Sequence, residues 1–311
     1  MFKIGRSHHN LTNQINQCII QSFKPGISKR QEKISGNFYE KTKIYSYTEK
    51  ESLLDVAKNF TSWLKIEHSE IKKMKDITPS LINEYLNSKT LSCTTKTIQL
   101  YATRLDKIGK LGENRYGCKM NFKATYIPDG KKYSTRTITM SEKDYQKIIN
   151  IKSSSLSLIG IKLSHAFGLR VSECVRIKPE HISKNSLTIY KSKGGKTRII
   201  PIETKEQKEI IKCLKSIINE KNIKPNKFIL NIKADSINKW LARREEKLHM
   251  TKYREAKTSV HSIRKNYAQR EYARQMKLTN GDKKESYNQM MLRLGHGKDR
   301  MDLRKAYLGN K

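Results

Sequence analysis

Apolar residues recur three or four places apart through most of this chain, and that spacing commits it to amphipathic helices. Leu53, Val56, Ala57, Phe60, Trp63 and Leu64 fall on one helical face. Leu81, Ile82, Tyr85 and Leu86 form a second stripe, and Ile98, Tyr101, Ala102, Leu105 and Ile108 a third. The starts are marked as well. Thr48 and Glu51 have the spacing of a capping box, in which each side chain bonds the other's free backbone N–H. Thr78-Pro79 is an N-cap followed by proline at the first helical position. The third helix starts near Thr94 or Thr95. Together they predict a small all-helical domain over residues 48–112.

Ahead of it, residues 1–47 carry eight Lys or Arg against Glu32 and Glu40. Leu11, Ile15, Ile19 and Phe23 have helical spacing until Pro25-Gly26 stops it; the rest reads as a flexible, basic N-terminal arm. Residues 113–137 lose the helical period. Tyr126-Ile127-Pro128-Asp129-Gly130 is a turn signal between short β-prone stretches, which predicts a linker or hairpin. A second domain then spans 138–311. Ser141 caps a helix with Tyr145, Ile148 and Ile149, and an apolar helix covers 156–166. Residues 187–190 and 198–202 read as two strands joined by a Lys/Gly turn. Helices follow at about 206–220, 235–248, 260–276 and 286–294. The fold class is mainly α with a small β-hairpin (α+β).

The 311 residues include 65 Lys+Arg and 29 Asp+Glu, a formal charge of +36. Such an excess calls for a polyanionic partner, nucleic acid before an anionic membrane face. No apolar run approaches the ~18 residues of a membrane span. Cys18, Cys93, Cys118, Cys174 and Cys213 are scattered and odd in number, so neither a disulfide framework nor a Cys-rich zinc site is expected, and a reducing interior is the natural home. The localisation expected is cytoplasmic and nucleoid-associated. Gly195-Lys196-Thr197 resembles the end of a phosphate-binding loop, but Tyr190 stands where that loop needs glycine. There is no H-E-x-x-H, and His8-His9 has no evident third ligand. No metal or other cofactor is expected.

Four phrases in the second domain carry chemistry only in combination. In His165-Ala166-Phe167-Gly168-Leu169-Arg170-Val171-Ser172-Glu173, one helix ends at Gly168, another begins near Ser172, and Arg170 occupies the corner. Lys193-Gly194-Gly195-Lys196-Thr197-Arg198 is a hairpin tip whose glycines leave lysines projecting. Ser259-Val260-His261-Ser262-Ile263-Arg264 opens a helix, with His261 and Arg264 on one face of its first turn. A basic pair where the helix dipole is already positive is electrostatically poor unless an anion binds there. Tyr287, Met290, Met291 and Leu294 form an apolar stripe stopped by Gly295; His296 follows at once and Tyr307 lies near the chain end. Singly, each phrase is an ordinary corner, tip, helix start or terminal aromatic.

In order, Arg170, Lys193, His261, Arg264, His296 and Tyr307 resemble the catalytic set of the tyrosine recombinase (phage integrase) family. G-L-R-V-S-E, the K-G-G-K hairpin, H-S-I-R, L-G-H-G and the near-terminal tyrosine match in order and approximate spacing over 138–308. The helical domain at 48–112 stands where that family has its core-binding domain. The resemblance implies a site-specific recombinase that cleaves and rejoins double-stranded DNA through a 3′-phosphotyrosyl linkage, integrating or excising a mobile element. Tyr307 would be the nucleophile, and Arg170 and Arg264 would clamp the phosphate with planar donor forks. His261 would serve acid–base catalysis. Lys193 would protonate the leaving 5′ oxygen, with Lys191 and Lys196 as competitors. His296 would bond the phosphate or position Tyr307, and Glu173 would cap its helix or orient Arg170. The bond energy stays in the ester, so neither ATP nor metal is required. The family works as four protomers on two duplexes, at times with accessory DNA-bending or directionality factors. Many members carry a further helix after the tyrosine that docks into a neighbouring protomer; only four residues follow Tyr307, leaving the basic leader as the substitute contact. The alternatives are a type IB topoisomerase-like strand transferase and a non-catalytic DNA-binding regulator.

Overall fold

Local capping and one-sided apolar stripes build the first of two units, residues 1–134; the second is 135–311. The computed structural model describes residues 10–27, 32, 34–36, 42–132, 138–190, 192, 195–256 and 258–309. Helix α1 (Leu11–Gln21) starts at Asn10, whose side chain accepts the Thr12 N–H at 2.9 Å. Its Leu11, Ile15, Cys18 and Ile19 are buried. Helix α2 (Tyr47–Glu67) buries Leu53, Val56, Ala57, Phe60, Thr61 and Leu64. Helix α3 (Pro79–Asn87) follows the Thr78 cap, with proline in its first turn, and α4 (Thr95–Tyr116) follows the Thr94 cap.

Three details of this unit differ from the sequence reading. The α2 cap is Ser46, which accepts the Glu49 N–H at 3.1 Å, and not Thr48. Ser46-x-x-Glu49 and Thr48-x-x-Glu51 overlap, and the earlier start puts Tyr47 edge-on against Phe23, with ring centroids 4.8 Å apart. The Glu49 carboxylate bonds the Lys107 ammonium at 2.6 Å. Secondly, one face of the leader's helix, with Ile44, lies in the unit's core. Ile15, Ile19 and Ile44 are fully buried, and Phe23 and Ile44 form a short parallel bridge. A stripe of that apolarity is stable only when covered. Thirdly, among the described residues 113–132 there is no strand beyond an isolated Thr94–Lys131 bridge. Helix α4 continues to Tyr116, and the chain then lays Met120 and Phe122 back into the core. Phe122 crosses α4 at Gly109, where an added Cβ would meet the Phe122 Cβ at 2.6 Å.

In the second unit α5 (Glu142–Ile149) is capped by Ser141, and α6 (Leu156–Phe167) is buried over most of its circumference. The one-turn α7 (Val171–Cys174) leads to an antiparallel hairpin of β1 (Ser186–Ile189) and β2 (Arg198–Pro201), in register Leu187↔Ile200 and Ile189↔Arg198. Then come α8 (Lys205–Glu220), α9 (Ala234–Lys247), the short α10 (Thr251–Glu255), α11 (Val260–Leu278), α12 (Lys283–Arg293) and α13 (Arg304–Leu308). The α8 start is a true capping box between Thr204 and Gln207. The main core surrounds α6 and includes Ile161, Phe167, Leu187, Ile200, Leu214, Ile237 and Ile263. A smaller cluster of Tyr267, Ala268, Tyr287, Met290, Met291, Leu294, Tyr307 and Leu308 seats the last helix on α11 and α12. The second unit thus has the mainly helical, one-hairpin composition expected. Among the described residues no helix is long and apolar enough to cross a membrane.

Candidate active site

Two left-handed glycines shape the site. Gly168 (φ +61°) ends α6 and turns the chain so that Arg170 caps α7. Gly295 (φ +74°) ends α12 with a Schellman pair of bonds, His296 N–H to Met291 O at 2.8 Å and Gly295 N–H to Leu292 O at 2.9 Å. That cap sets where His296 leaves the helix. The following loop is pinned by the Tyr287 hydroxyl on Arg300 O at 2.7 Å, and α13 then returns Tyr307 to the same place.

Arg264 is fully buried on α11. Its guanidinium donates Nη1 to the Gly168 carbonyl and Nη2 to the Leu294 carbonyl, the latter at 2.6 Å. It thereby ties together the two corners that carry Arg170 and His296. Among the described residues its Nε is buried without a hydrogen-bond partner. Burial lowers its pKa, opposed by the neighbouring Tyr307 and Glu173.

Arg170 donates Nη1 to Glu173 Oε1 at 2.8 Å and to Ser192 Oγ at 3.1 Å. Glu173 also accepts the Arg170 backbone N–H at 2.9 Å, so it both caps α7 and orients Arg170. Arg198 grips the same carboxylate with both terminal nitrogens, at 3.0 and 2.7 Å. Burial alone would raise the Glu173 pKa; the Arg198 bonds and charge, with Arg264 and Ser192, hold it well below the usual carboxylate range.

Arg170 and Arg264 converge on one atom. His296 Nε2 lies 3.4 Å from Arg170 Nη2, 3.5 Å from Arg264 Nη2 and 3.0 Å from the Tyr307 hydroxyl. Guanidinium N–H groups only donate, so Nε2 is the acceptor and the ring proton is on Nδ1. The electrostatics agree. Burial, then the charges of Arg264, Arg170, Arg300 and Lys196, push the His296 pKa down to about 3. The ring is neutral, and its one Nε2 lone pair is directed to the nearest of the three donors, the Tyr307 O–H. Tyr307 is 5% exposed, and its ring centroid lies 5.9 Å from that of His261 in the first turn of α11.

Of the residues picked out by motif, Arg170, His261, Arg264, His296 and Tyr307 lie in this one cluster. Lys193, like Lys191, lies outside the described residues; Lys196 is described and exposed. Sequence reasoning missed Ser192 and Arg198. Neither carries a local signal, because the carboxylate that recruits both belongs to Glu173, a distant position in the chain. The balance of charge is informative. Three guanidiniums, Arg170, Arg198 and Arg264, face one carboxylate, Glu173. The cluster is therefore two positive charges in excess, an arrangement suited to an anionic ligand at the Arg170–Arg264 face.

Comparison with known proteins gives this arrangement its context. Residues 138–280 match the phage integrase family. No curated protein sequence matches the chain. Among solved structures, it is similar to the XerH site-specific recombinase bound to a palindromic difH substrate in a post-cleavage complex. That likeness has a TM-score of 0.60 at 14% identity and covers 95% of this chain and 93% of the other. A lambda integrase tetramer bound to a Holliday junction gives 0.61 at 15%, covering 92% and 78%. The Tn1549 transposon integrase in complex with transposon right-end DNA gives 0.56 at 13%, covering 96% and 95%. At such identities the structural likeness is one of fold. Residues 138–280 of the second unit thus match the phage integrase family in sequence, and the chain has the fold seen in XerH recombinase and lambda integrase.

Proposed function

We propose that this chain is a site-specific DNA recombinase in which Tyr307 attacks a phosphodiester held by Arg170 and Arg264. The observation that carries the reading is the meeting of a tyrosine hydroxyl, a neutral imidazole lone pair and two guanidiniums at His296 Nε2. A phosphodiester resists attack because its oxygens are negative and an alkoxide leaves poorly. Arg170 and Arg264 are fixed before substrate arrives, so their N–H groups stabilise charge on the non-bridging oxygens without reorganising. His296, pressed by those two charges, is a weak base. Its part is to orient the hydroxyl by accepting its hydrogen bond. With the phosphate on the two arginines, the hydroxyl turns from His296 to His261, beside the same ring, which takes up the tyrosine proton as the oxygen attacks. As the Tyr307 oxygen bonds to phosphorus, the bond to the 5′ oxygen breaks. That oxygen leaves with a proton from the hairpin lysine, assigned by resemblance to Lys193. Rejoining is the same path reversed by an incoming 5′ hydroxyl. Double-stranded DNA is the partner supported by the +36 charge. Residues 48–112 are the candidate core-binding region, with 1–47 as the leading segment and 113–137 as the connection. Four protomers on two duplexes are the working assembly, with accessory factors setting direction.

The test is covalent capture on a nicked suicide duplex drawn from the source element. Wild-type protein gives an adduct at Tyr307 joined to a 3′ phosphate, and the yield is unchanged by EDTA. Tyr307→Phe gives none while binding DNA as before; it loses one hydrogen bond, about 1 kcal/mol. An adduct from the Phe variant makes another tyrosine the nucleophile. Adducts on arbitrary plasmid, with supercoil relaxation and no recombination of paired sites, favour the topoisomerase reading.

A further inference from the structure

Ser192 precedes the hairpin lysine and is 5% exposed. Its backbone closes the hairpin: its N–H donates to Lys196 O at 2.8 Å, and its carbonyl accepts the Gly195 N–H at 2.8 Å. Its side chain closes on the active site. Arg170 Nη1 can only donate, so the Ser192 oxygen accepts it at 3.1 Å, and the single hydroxyl proton is left for Glu173 Oε1, which it reaches. The proton and one lone pair of this hydroxyl are therefore spent on two residues of the site, one of them Arg170. Across the hairpin, Arg198 holds the same Glu173 carboxylate and anchors its Nε on the Arg293 carbonyl at 2.9 Å. Both ends of the hairpin tip thus grip one carboxylate, and of the two Ser192 also bonds the Arg170 guanidinium.

We propose that Ser192 is a positioning residue: its hydroxyl joins the lysine-bearing hairpin to Arg170 and sets the direction of the Arg170 donor fork. The proposal rests on the recombinase reading above. Removing the hydroxyl leaves Arg170 Nη1 with Glu173 alone. The fork then swings about that contact, and cleavage suffers more than binding, because stabilisation of the transition state depends on direction more steeply than does attraction to a phosphate.

The experiment measures single-turnover adduct formation and DNA affinity for full-length wild type, Ser192→Ala, Ser192→Cys, Arg170→Lys and the double variant Ser192→Ala/Arg170→Lys. Ser192→Ala cleaves ~10-fold more slowly with affinity within about twofold of wild type. Ser192→Cys, close in shape but a weak donor and acceptor, is similarly slow and carries the test if the alanine variant does not fold. In the Arg170→Lys background Ser192→Ala costs less than about twofold, because the fork it directs is already gone. Wild-type rates in both single Ser192 variants overturn the proposal. So does an equal loss in both backgrounds, since damage that ignores Arg170 is general damage to the hairpin. If wild type itself binds DNA and forms no adduct, the recombinase reading fails and this inference with it; if wild type cleaves and the Ser192 variants match it, this inference alone fails.

Discussion

Replacing Gly168 with alanine should damage both the fold and the site, in amounts the geometry sets. At φ +61° an L-residue pays the left-handed penalty of about 1 kcal/mol. The new Cβ would stand 2.3 Å from Tyr267 Cδ1, 2.6 Å from Cε1 and 3.0 Å from Leu294 Cδ2. Tyr267 is 3% exposed within the cluster that seats the last helix, so its ring has little room to retreat. Overpacking of this kind costs about 1–3 kcal/mol, giving a total near ~2–4 kcal/mol. The backbone shift also moves the Gly168 carbonyl that holds Arg264 Nη1. Cleavage should therefore fall by ~10²–10³ under conditions where the variant is still folded. The assay is urea unfolding followed by Trp240 fluorescence in a Trp63→Phe background, so that the second unit reports alone, paired with adduct formation at low urea. Adding Tyr267→Leu removes the ring that Cβ strikes; the two changes together should then destabilise by less than their sum, by ~1 kcal/mol or more. A Gly168→Ala protein within ~0.5 kcal/mol of wild type and cleaving at its rate would refute both the packing argument and the tie between this corner and Arg264.

Arg170→Lys should keep most DNA affinity and lose ~10²–10³ in cleavage rate, because an ammonium is a point charge without a planar fork; near-normal adduct formation would demote Arg170 to a simple phosphate contact. His296 should show no imidazole titration by NMR between pH 8 and 5 in the DNA-free protein, its pKa lying near 3 for the reasons of burial and neighbouring charge given above. The linked stability has a definite sign. The unfolded chain takes up the His296 proton below about pH 6.5 and the folded one does not, so stability falls with pH from there towards 3. After discounting for solvent screening, this one group accounts for ~1 kcal/mol between pH 7 and 5, a loss that His296→Gln should abolish. DNA affinity should drop roughly 10³ or more between 50 and 200 mM salt, as several Lys and Arg phosphate contacts release counterions. A flat gel-shift titration would argue against a charge-driven interface.

Much of this molecule is legible from neighbours in sequence. Thr78, Thr94, Ser141 and Ser259 cap the helices they precede, because a cap is made within three or four residues. The hairpin and the Gly295 stop are equally local. Where two local patterns overlapped, at Ser46 and Thr48, only the packing of Tyr47 on Phe23 separated them. The apolar stripe of Leu11, Ile15 and Ile19 declared a helix without saying what would cover it, and Phe122 gave no sign that it would lie across Gly109. Both depend on surfaces presented by residues far along the chain. The motif phrases named Arg170, His261, Arg264, His296 and Tyr307 as a set. What tertiary structure decided was their electrical state and their bookends. Glu173 is ionised at a buried position because Arg198 arrives from the next hairpin, and Ser192 joins Arg170 because that hairpin folds over the α7 corner. His296 is neutral because the fold buries it and then brings Arg264 and Arg170, from opposite parts of the unit, against one nitrogen. Residue types and capping are properties of short segments, whereas a pKa or a guanidinium's direction is the sum of fields and contacts from whichever segments the fold brings within a few ångströms.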